Sequence, residues 1–134
     1  MRNNMTLTKE YVAKVFKLLE NGDMAGYLEN YVAPNVKWTI TGTNVFKGTY
    51  TTRQEFIDKV ITRLNASLTG GIKMRIHHIY VDGDTAIVEM ESIATAKKGH
   101  PYNNQYVWIQ AFQEGKIVTA RVYYDDALVN KTIE

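Results

Sequence analysis

Hydrophobic residues recur along this chain with two different periods, and the change of period separates a helical part from a strand-forming part. Between Thr8 and Asn21, four apolar residues fall at i, i+3, i+4 and i+7 spacing, at Val12, Val15, Phe16 and Leu19. This spacing gathers them on one side of an α-helix. It predicts an amphipathic first helix that ends at Asn21-Gly22, a common stop signal.

Two further helices and one strand are predicted before the period changes. Asp23 can cap a short second helix, which we expect to end at Pro34. Thr52 to Glu55 has the pattern of a capping box and should begin a third helix that stops before Gly70-Gly71. The apolar residues of this third helix are Phe56, Val60, Ile61, Leu64 and Leu68.

The first strand is predicted between the second and third helices. Val36, Trp38 and Ile40 alternate with polar residues, which is the period of a half-buried strand. The strand should end at Gly42, and Gly48 is expected in the loop that follows.

From Ile72 onward, apolar and polar residues alternate, so every later segment is predicted to be a strand. The first run places on one face Ile72, Met74, Ile76, His78 and Tyr80. An Asp82-Gly83 turn leads to a second run, from Thr85 to Ala96. Its buried face is predicted to carry Ala86, Val88, Met90 and Ser92, with Glu89 and Glu91 on the other face.

The segment from Tyr102 to Asp126 predicts a long antiparallel hairpin with its turn at Glu114-Gly115. Period two places on one face of its first strand Tyr102, Asn104, Tyr106 and Trp108. The matching face of its second strand carries Val118, Ala120, Val122, Tyr124 and Asp126. Polar groups set among aromatic rings are typical of a small-molecule cavity, so we expect the functional site on this hairpin.

The element order α-α-β-α-β-β-β-β predicts an α+β fold for a single domain over residues 1–134, with three helices on one face of a curved antiparallel sheet. The first strand of the hairpin is apolar on both faces, since Val107 and Ile109 alternate with Tyr106 and Trp108. Helices can cover only one of these faces. We therefore expect a second copy of the chain to cover the other and form a homodimer.

Composition removes several classes of function. The chain has no cysteine, which excludes disulfides, a thiolate nucleophile and zinc–thiolate sites. Its 16 Lys and Arg residues are scattered and nearly balanced by 14 Asp and Glu, so binding to nucleic acid is not indicated. Met1 to Thr8 is polar, and no apolar run approaches the length of a membrane span, so a cytoplasmic protein is expected. The three histidines lack metal-ligand spacing, and we expect neither a metal nor another cofactor.

Several local sequences resemble the SnoaL-like branch of the nuclear-transport-factor-two-like superfamily. They are residues 36–42 with Gly48 downstream, residues 102–106, and residues 115–117 leading to 121–125. The resemblance covers nearly the whole chain. It implies a cone-shaped fold, in which the curved sheet wraps around three N-terminal helices, with an internal pocket and a dimer across the outer sheet face. Relatives include ketosteroid isomerase, polyketide cyclases, limonene epoxide hydrolase and non-catalytic domains, so the fold alone assigns no function.

Two acid/base positions typical of such relatives carry no carboxylate here. The resemblance aligns residues 38–41 with the strand that bears the catalytic aspartate of ketosteroid isomerase, and this stretch reads Trp-Thr-Ile-Thr. Val122 stands where many SnoaL-like relatives have a pocket-facing glutamate. The chemistry of ketosteroid isomerase is therefore not expected.

The predicted ligand-binding residues are Trp38, Tyr102, Asn104, Tyr106, Trp108 and Tyr124. Each can alternatively be a core residue or a strand-end residue. For acid/base work we predict Asp126, which by parity shares the cavity face, and His100, in a loop beside the expected pocket mouth. A solvated strand end and an inert loop histidine are the alternatives, and Asp125 should point outward. His78, on an apolar face, is predicted to be a hydrogen-bonded core residue.

These residues favour a cofactor-independent proton-transfer enzyme of the isomerase, cyclase or hydratase type. Its substrate is expected to be a small, apolar cyclic molecule held in an internal pocket. The alternative is a dimeric domain that binds such a molecule without catalysis, and the two missing carboxylates favour it. The sequence leaves the ligand and the reaction open.

Overall fold

Six strands form one curved, open sheet in the computed structural model, which describes residues 6–134. The polar stretch from Met1 to Thr8, on which the expected location in the cytoplasm partly depends, includes residues 1–5, which lie outside the described residues. The strands are β1 (Val32–Ile40), β2 (Gly48–Tyr50), β3 (Leu68–Asp82), β4 (Thr85–Ala96), β5 (Gln105–Gln113) and β6 (Lys116–Tyr124). Their order across the sheet is β2-β1-β6-β5-β4-β3, so the predicted hairpin β5–β6 lies at its centre.

The helices pack against one face of this sheet. They are α1 (Lys9–Glu20), α2 (Met24–Tyr31), α3 (Arg53–Phe56), a π-helical turn (Ile57–Ile61) that continues into α4 (Thr62–Ala66), and α5 (Asp126–Ile133). The predicted cap at Asp23 is present, since its side chain accepts a hydrogen bond from Gly26 N–H, and Thr8 caps α1 in the same way by accepting one from Tyr11 N–H. The α+β fold predicted from the sequence is confirmed.

Four boundaries differ from the prediction. The second helix ends at Tyr31 rather than at Pro34, because the residue before a proline disfavours the helical conformation and the β-branched Val32 is already extended. Leu68 begins a strand instead of ending the third helix, and Gly70-Gly71 lies within that strand. Gly48 belongs to the short strand β2, not to a loop.

The pairing of β1 is a further correction. β1 and β6 run parallel, whereas the prediction was a fully antiparallel sheet. The other neighbouring pairs are antiparallel. Because β1 and β6 are far apart in sequence, their pairing leaves no local hairpin signal. The arrangement places Trp38 of β1 directly beside Ala120 of β6, and it thereby brings the first strand against the central hairpin.

A β-bulge in β3 changes the face on which its histidines lie. The pairing register shifts between Ile76 and His78, so His77 and His78 are both exposed and the inward positions pass to Ile79 and Val81. The prediction that His78 is a core residue is therefore wrong. An extra residue in one strand reverses the alternation beyond it, and the side-chain pattern alone does not locate that residue.

A C-terminal helix, α5, was not predicted. The alternation of side chains was used to extend the last strand through Asp126, but β6 ends at Tyr124. The side chain of Asp125 accepts a hydrogen bond from Leu128 N and caps α5 (3.3 Å). The register between β6 and β5 also shifts, since Thr119 pairs with Ala111 and Ile117 with Phe112, and Ile117 is therefore fully buried and Val118 half-buried, contrary to the predicted face.

The hydrophobic core lies between the helices and the inner face of the sheet. The face predicted for β4 is confirmed, since Ala86, Val88, Met90 and Ser92 are all buried.

The Arg53 guanidinium connects α3 to the end of α2 by donating hydrogen bonds to the carbonyl groups of Leu28, Glu29 and Val32. Within residues 6–134, no helix combines the length and apolar character needed to cross a membrane.

Candidate functional site

An apolar cavity lies inside the cone, between the sheet and the helices. Its aromatic lining includes Trp38, Phe56, Tyr102, Tyr106, Trp108 and Tyr124. Five of these were predicted as ligand-binding residues from the sequence. Phe56 was predicted only as part of a helix, although its spacing to Val60 and Leu64, which also line the cavity, was visible.

The cavity is small and is bounded on its helical side by side chains that include Met24 and Ile61. Its volume of about 40 Å³ has room for about three water molecules, at roughly 10–15 Å³ each. Met24 and Ile61 line both this cavity and a groove on the outer surface of the helices. A cyclic ligand therefore has to displace side chains to enter, and these two residues separate the cavity from that groove.

Asn104, also predicted to bind a ligand, is fully buried but is not among the residues that line the cavity. Its side chain accepts a hydrogen bond from Asp125 N (2.9 Å) and donates to Asp125 O (3.2 Å). It also donates to the Tyr102 hydroxyl at 3.4 Å. Ser92 accepts a hydrogen bond from Asn104 N and donates to Tyr102 O, both at 2.8 Å. Asn104 therefore holds the ends of the hairpin together and orients Tyr102.

The ionisable groups of the lining are tyrosine hydroxyls, and their surroundings keep them protonated. Burial raises the pKa of Tyr102, and Asp125 acts in the same direction. Burial raises the pKa of Tyr106 well above its usual value, with Tyr102 adding to the effect. The pKa of Tyr124 is raised chiefly by burial. These three groups therefore act as neutral hydrogen-bonding hydroxyls near neutral pH, not as bases.

Asp126 is held by hydrogen bonds at the start of α5 and does not line the cavity. Its carboxylate accepts hydrogen bonds from Thr43 N at 3.0 Å and from Asn44 Nδ2 at 2.7 Å. Gly42 packs so closely that a Cβ there would overlap this carboxylate. Asn44 in turn accepts a hydrogen bond from the Tyr124 hydroxyl at 3.0 Å. Asp126 is therefore connected to the cavity lining only indirectly, by a chain of hydrogen bonds through Asn44 to Tyr124.

His100 lies in the loop before β5, and it too is absent from the cavity lining. Its Nε2 is 2.8 Å from the Thr132 hydroxyl of α5. Desolvation lowers the pKa of His100, and nearby Lys131 and Lys98 lower it further. The ring therefore links the loop to the C-terminal helix and is neutral near pH 7.

The two tryptophans of the chain meet in the cavity wall. Their rings lie edge to face with centroids 5.3 Å apart. The Trp38 ring is also stacked on the Phe56 ring, with centroids 4.3 Å apart. The Trp108 ring makes edge-to-face contacts with the rings of Phe16 and Tyr106, at centroid distances of 6.0 Å and 6.1 Å. Both indole Nε1 atoms are buried without a hydrogen-bond partner.

The profile of the SnoaL-like domain family matches residues 12–120. This chain belongs to the SnoaL-like family. The family match therefore confirms the resemblance stated from the sequence, and the α+β cone follows from it.

Solved structures share the SnoaL-like fold of this chain. An NTF2-like protein from Burkholderia thailandensis superposes with a TM-score of 0.77 and 23% identity, over 93% of this chain and 95% of the other. TerC, crystallised with polyporic acid, gives a TM-score of 0.73 and 19% identity, over 92% and 95% of the two chains.

One curated protein is similar in sequence to this SnoaL-like chain. It is a dimerizing cyclase, phiC, from a fungal species, and it is 28% identical over 131 residues. The alignment covers 95% of this chain and 57% of the cyclase. This chain therefore spans little more than half the length of that relative.

Proposed function

We propose that this SnoaL-like chain binds a small, largely apolar cyclic molecule in the cavity and promotes its cofactor-independent cyclisation or isomerisation. The observation that carries the proposal is an apolar cavity, lined largely by aromatic rings, to which three tyrosines contribute hydroxyl groups. The similarity to a dimerizing cyclase and to a protein crystallised with polyporic acid supports the same class of ligand.

The tyrosine hydroxyls supply the chemistry in this proposal. When a carbonyl oxygen of the ligand gains negative charge during the reaction, a preorganised neutral donor stabilises that charge. Tyr106 and Tyr102 are the donors. The Tyr124 hydroxyl donates to Asn44, so its oxygen is left to accept a hydrogen bond from the ligand. The aromatic walls hold a flexible substrate in the conformation that reacts.

The proton-transfer roles first predicted for Asp126 and His100 stay predictions. Within this proposal Asp126 is a positioning residue, because it contacts the cavity only through Asn44 and Tyr124. His100 contacts Thr132 and supports the loop beside β5.

A domain that binds without catalysis is the second candidate function. It is favoured by one observation: among the described residues that line the cavity, none carries a carboxylate or an imidazole. An enzyme and a binding domain would both bind the ligand saturably, but only the enzyme would convert it.

The proposed reaction is tested by incubating the protein with a panel of cyclic ketones and quinones and following their loss by mass spectrometry. Where turnover is found, Tyr106→Phe should lower kcat by about 10²- to 10³-fold, as expected for loss of one donor to a developing oxyanion. Tyr123→Phe, on the exposed face of the same hairpin, is the matched control and should leave kcat unchanged. Saturable binding without product would favour the binding domain.

The homodimer is also part of this proposal. Three exposed large apolar residues lie on the outer face of the sheet, namely Tyr80, Ile93 and Tyr123, between 43% and 47% exposed. Half-buried Val107 pairs with Tyr123 and Glu89 on this face. The same face carries an ion pair between Arg75 and Glu91 at 3.1 Å, and a two-fold axis would place this face against its own copy.

A further inference from the structure

Two residues that line the cavity each carry a buried hydrogen-bond donor that lacks an acceptor. Trp38 is 1% exposed and Trp108 is 5% exposed, both line the cavity, and both indole Nε1 atoms are unpartnered. Buried polar groups are nearly always paired, because a buried donor without a partner loses its hydrogen bonds to water. Such an exception in the wall of a ligand cavity points to a partner that arrives with the ligand.

The surroundings of the two indoles support this interpretation. The Trp38 ring is fixed by its stacking on Phe56, and the Trp108 ring by contacts with Phe16 and Tyr106. Both donors are therefore held in place before a ligand enters. A phenylalanine would supply the same kind of apolar wall without an unpaired donor. The remaining unpartnered atom of this kind in residues 6–134, Gln110 Oε1, belongs to a residue outside the lining.

We propose that the indole N–H groups of Trp38 and Trp108 donate hydrogen bonds to oxygen acceptors of the ligand. The ligand is then a cyclic ketone, quinone or related oxygenated ring rather than a hydrocarbon, and the two tryptophans determine specificity as well as filling space. The proposal rests on the function proposed above, since it requires that the cavity hold a ligand. The 5.3 Å separation of the ring centroids lets one small cyclic molecule contact both residues.

The test uses two ring molecules of the same shape, cyclohexanone and methylenecyclohexane, of which only the ketone has an acceptor oxygen. Because the chain has two tryptophans, a ¹⁵N-labelled sample gives two indole N–H signals in a two-dimensional NMR spectrum. Trp38→Phe and Trp108→Phe assign them. We expect the ketone to move both signals downfield saturably, and the hydrocarbon to leave their hydrogen-bonding state unchanged.

Affinity gives a second readout that does not depend on turnover. Each Trp→Phe variant should weaken cyclohexanone binding about three- to tenfold, the usual range for one net hydrogen bond, and change methylenecyclohexane binding much less. Val60→Ala alters the same cavity lining without removing a donor or a ring that orients one, so it should affect both probes equally.

The outcomes separate this inference from the function on which it rests. If both probes bind with equal affinity and shift the indole signals alike, the cavity binds ligands but the indole donors do not select oxygen, and the inference is overturned. If neither probe binds saturably, the cavity itself is not a ligand site, and the proposed function fails together with the inference.

Discussion

The role assigned to Asp126 depends on where strand β6 ends. The sequence places it on the cavity face only if β6 continues past Tyr124, and the side-chain alternation does not show where the strand stops. Asp125-Asp126 followed by apolar Leu128 and Val129 was an available helix-start signal, which the strand assignment overrode. Tyr106 and Trp108, by contrast, were predictable because the alternation of buried and less buried positions holds along the whole of β5.

Replacing Asp126 tests its structural role directly. Asp126→Ala removes the acceptor for Thr43 N and Asn44 Nδ2, so the free energy of unfolding should fall by about 1–3 kcal/mol. Chemical denaturation measures this loss. Asp126→Asn keeps an acceptor oxygen and should cost less. If Asp126→Asn instead lowers kcat by about 10²-fold or more with an unchanged melting temperature, the acid/base role predicted from the sequence is supported.

His100 should make stability depend on pH in the acidic range. Its pKa is lowered in the folded protein, so between that pKa and the unfolded value of about 6.5 the unfolded chain binds more protons. Stability from this group is therefore present above pH 6.5 and is lost as the pH falls through the folded pKa. Melting temperatures between pH 7.5 and 5 should show this, and His100→Gln should flatten the slope. An equal slope in wild type and variant would contradict the assignment.

Among the elements, the bulge in β3 and the π-helical turn could not be predicted from the sequence, for a common reason. Each adds one residue to a regular repeat, and the hydrophobic pattern on either side of the added residue still fits a regular strand or helix. The long helices and the β4 and β5 faces were predictable because each shows several turns or alternations without interruption. The parallel pairing of β1 with β6 depends on residues far apart in sequence, so no local pattern signals it.

The continuous helix containing the π-turn should control entry to the cavity. Ile61, at the end of that turn, lines both the cavity and the outer groove, whereas Ile57 lines the groove alone. Ile61→Ala should therefore speed association of cyclohexanone, and Ile57→Ala should not, although either truncation costs stability, by up to about 2–5 kcal/mol for a fully buried isoleucine. Relaxation-based NMR measures the association rate. Equal rates in the two variants would place the entrance elsewhere.

At the scale of the whole molecule, the sequence predicted the class of fold and a candidate site at the central hairpin, but not the short strand β2, the parallel pairing of β1 with β6 or the C-terminal helix α5. We expect a dimer because the outer face of the sheet exposes large apolar side chains. Sedimentation at micromolar concentration should therefore give a molecular mass of twice the 15.3 kDa of one chain. Val107→Glu places a charge beside Glu89 on that face and should yield a folded monomer, while Lys14→Glu, on exposed α1, should not. A wild-type monomer at this concentration would contradict the proposal.

The parallel contact between β1 and β6 also sets the order in which this protein can fold. Trp38 pairs with Ala120, 82 positions later in the chain, so the first strand cannot complete its pairing in the sheet before β6 is available. Closing so long a loop is entropically costly and tends to slow folding. Because Trp38 meets Trp108 only at that step, intrinsic tryptophan fluorescence should report loop closure itself. A growing chain on the ribosome has no cavity until its last strand emerges.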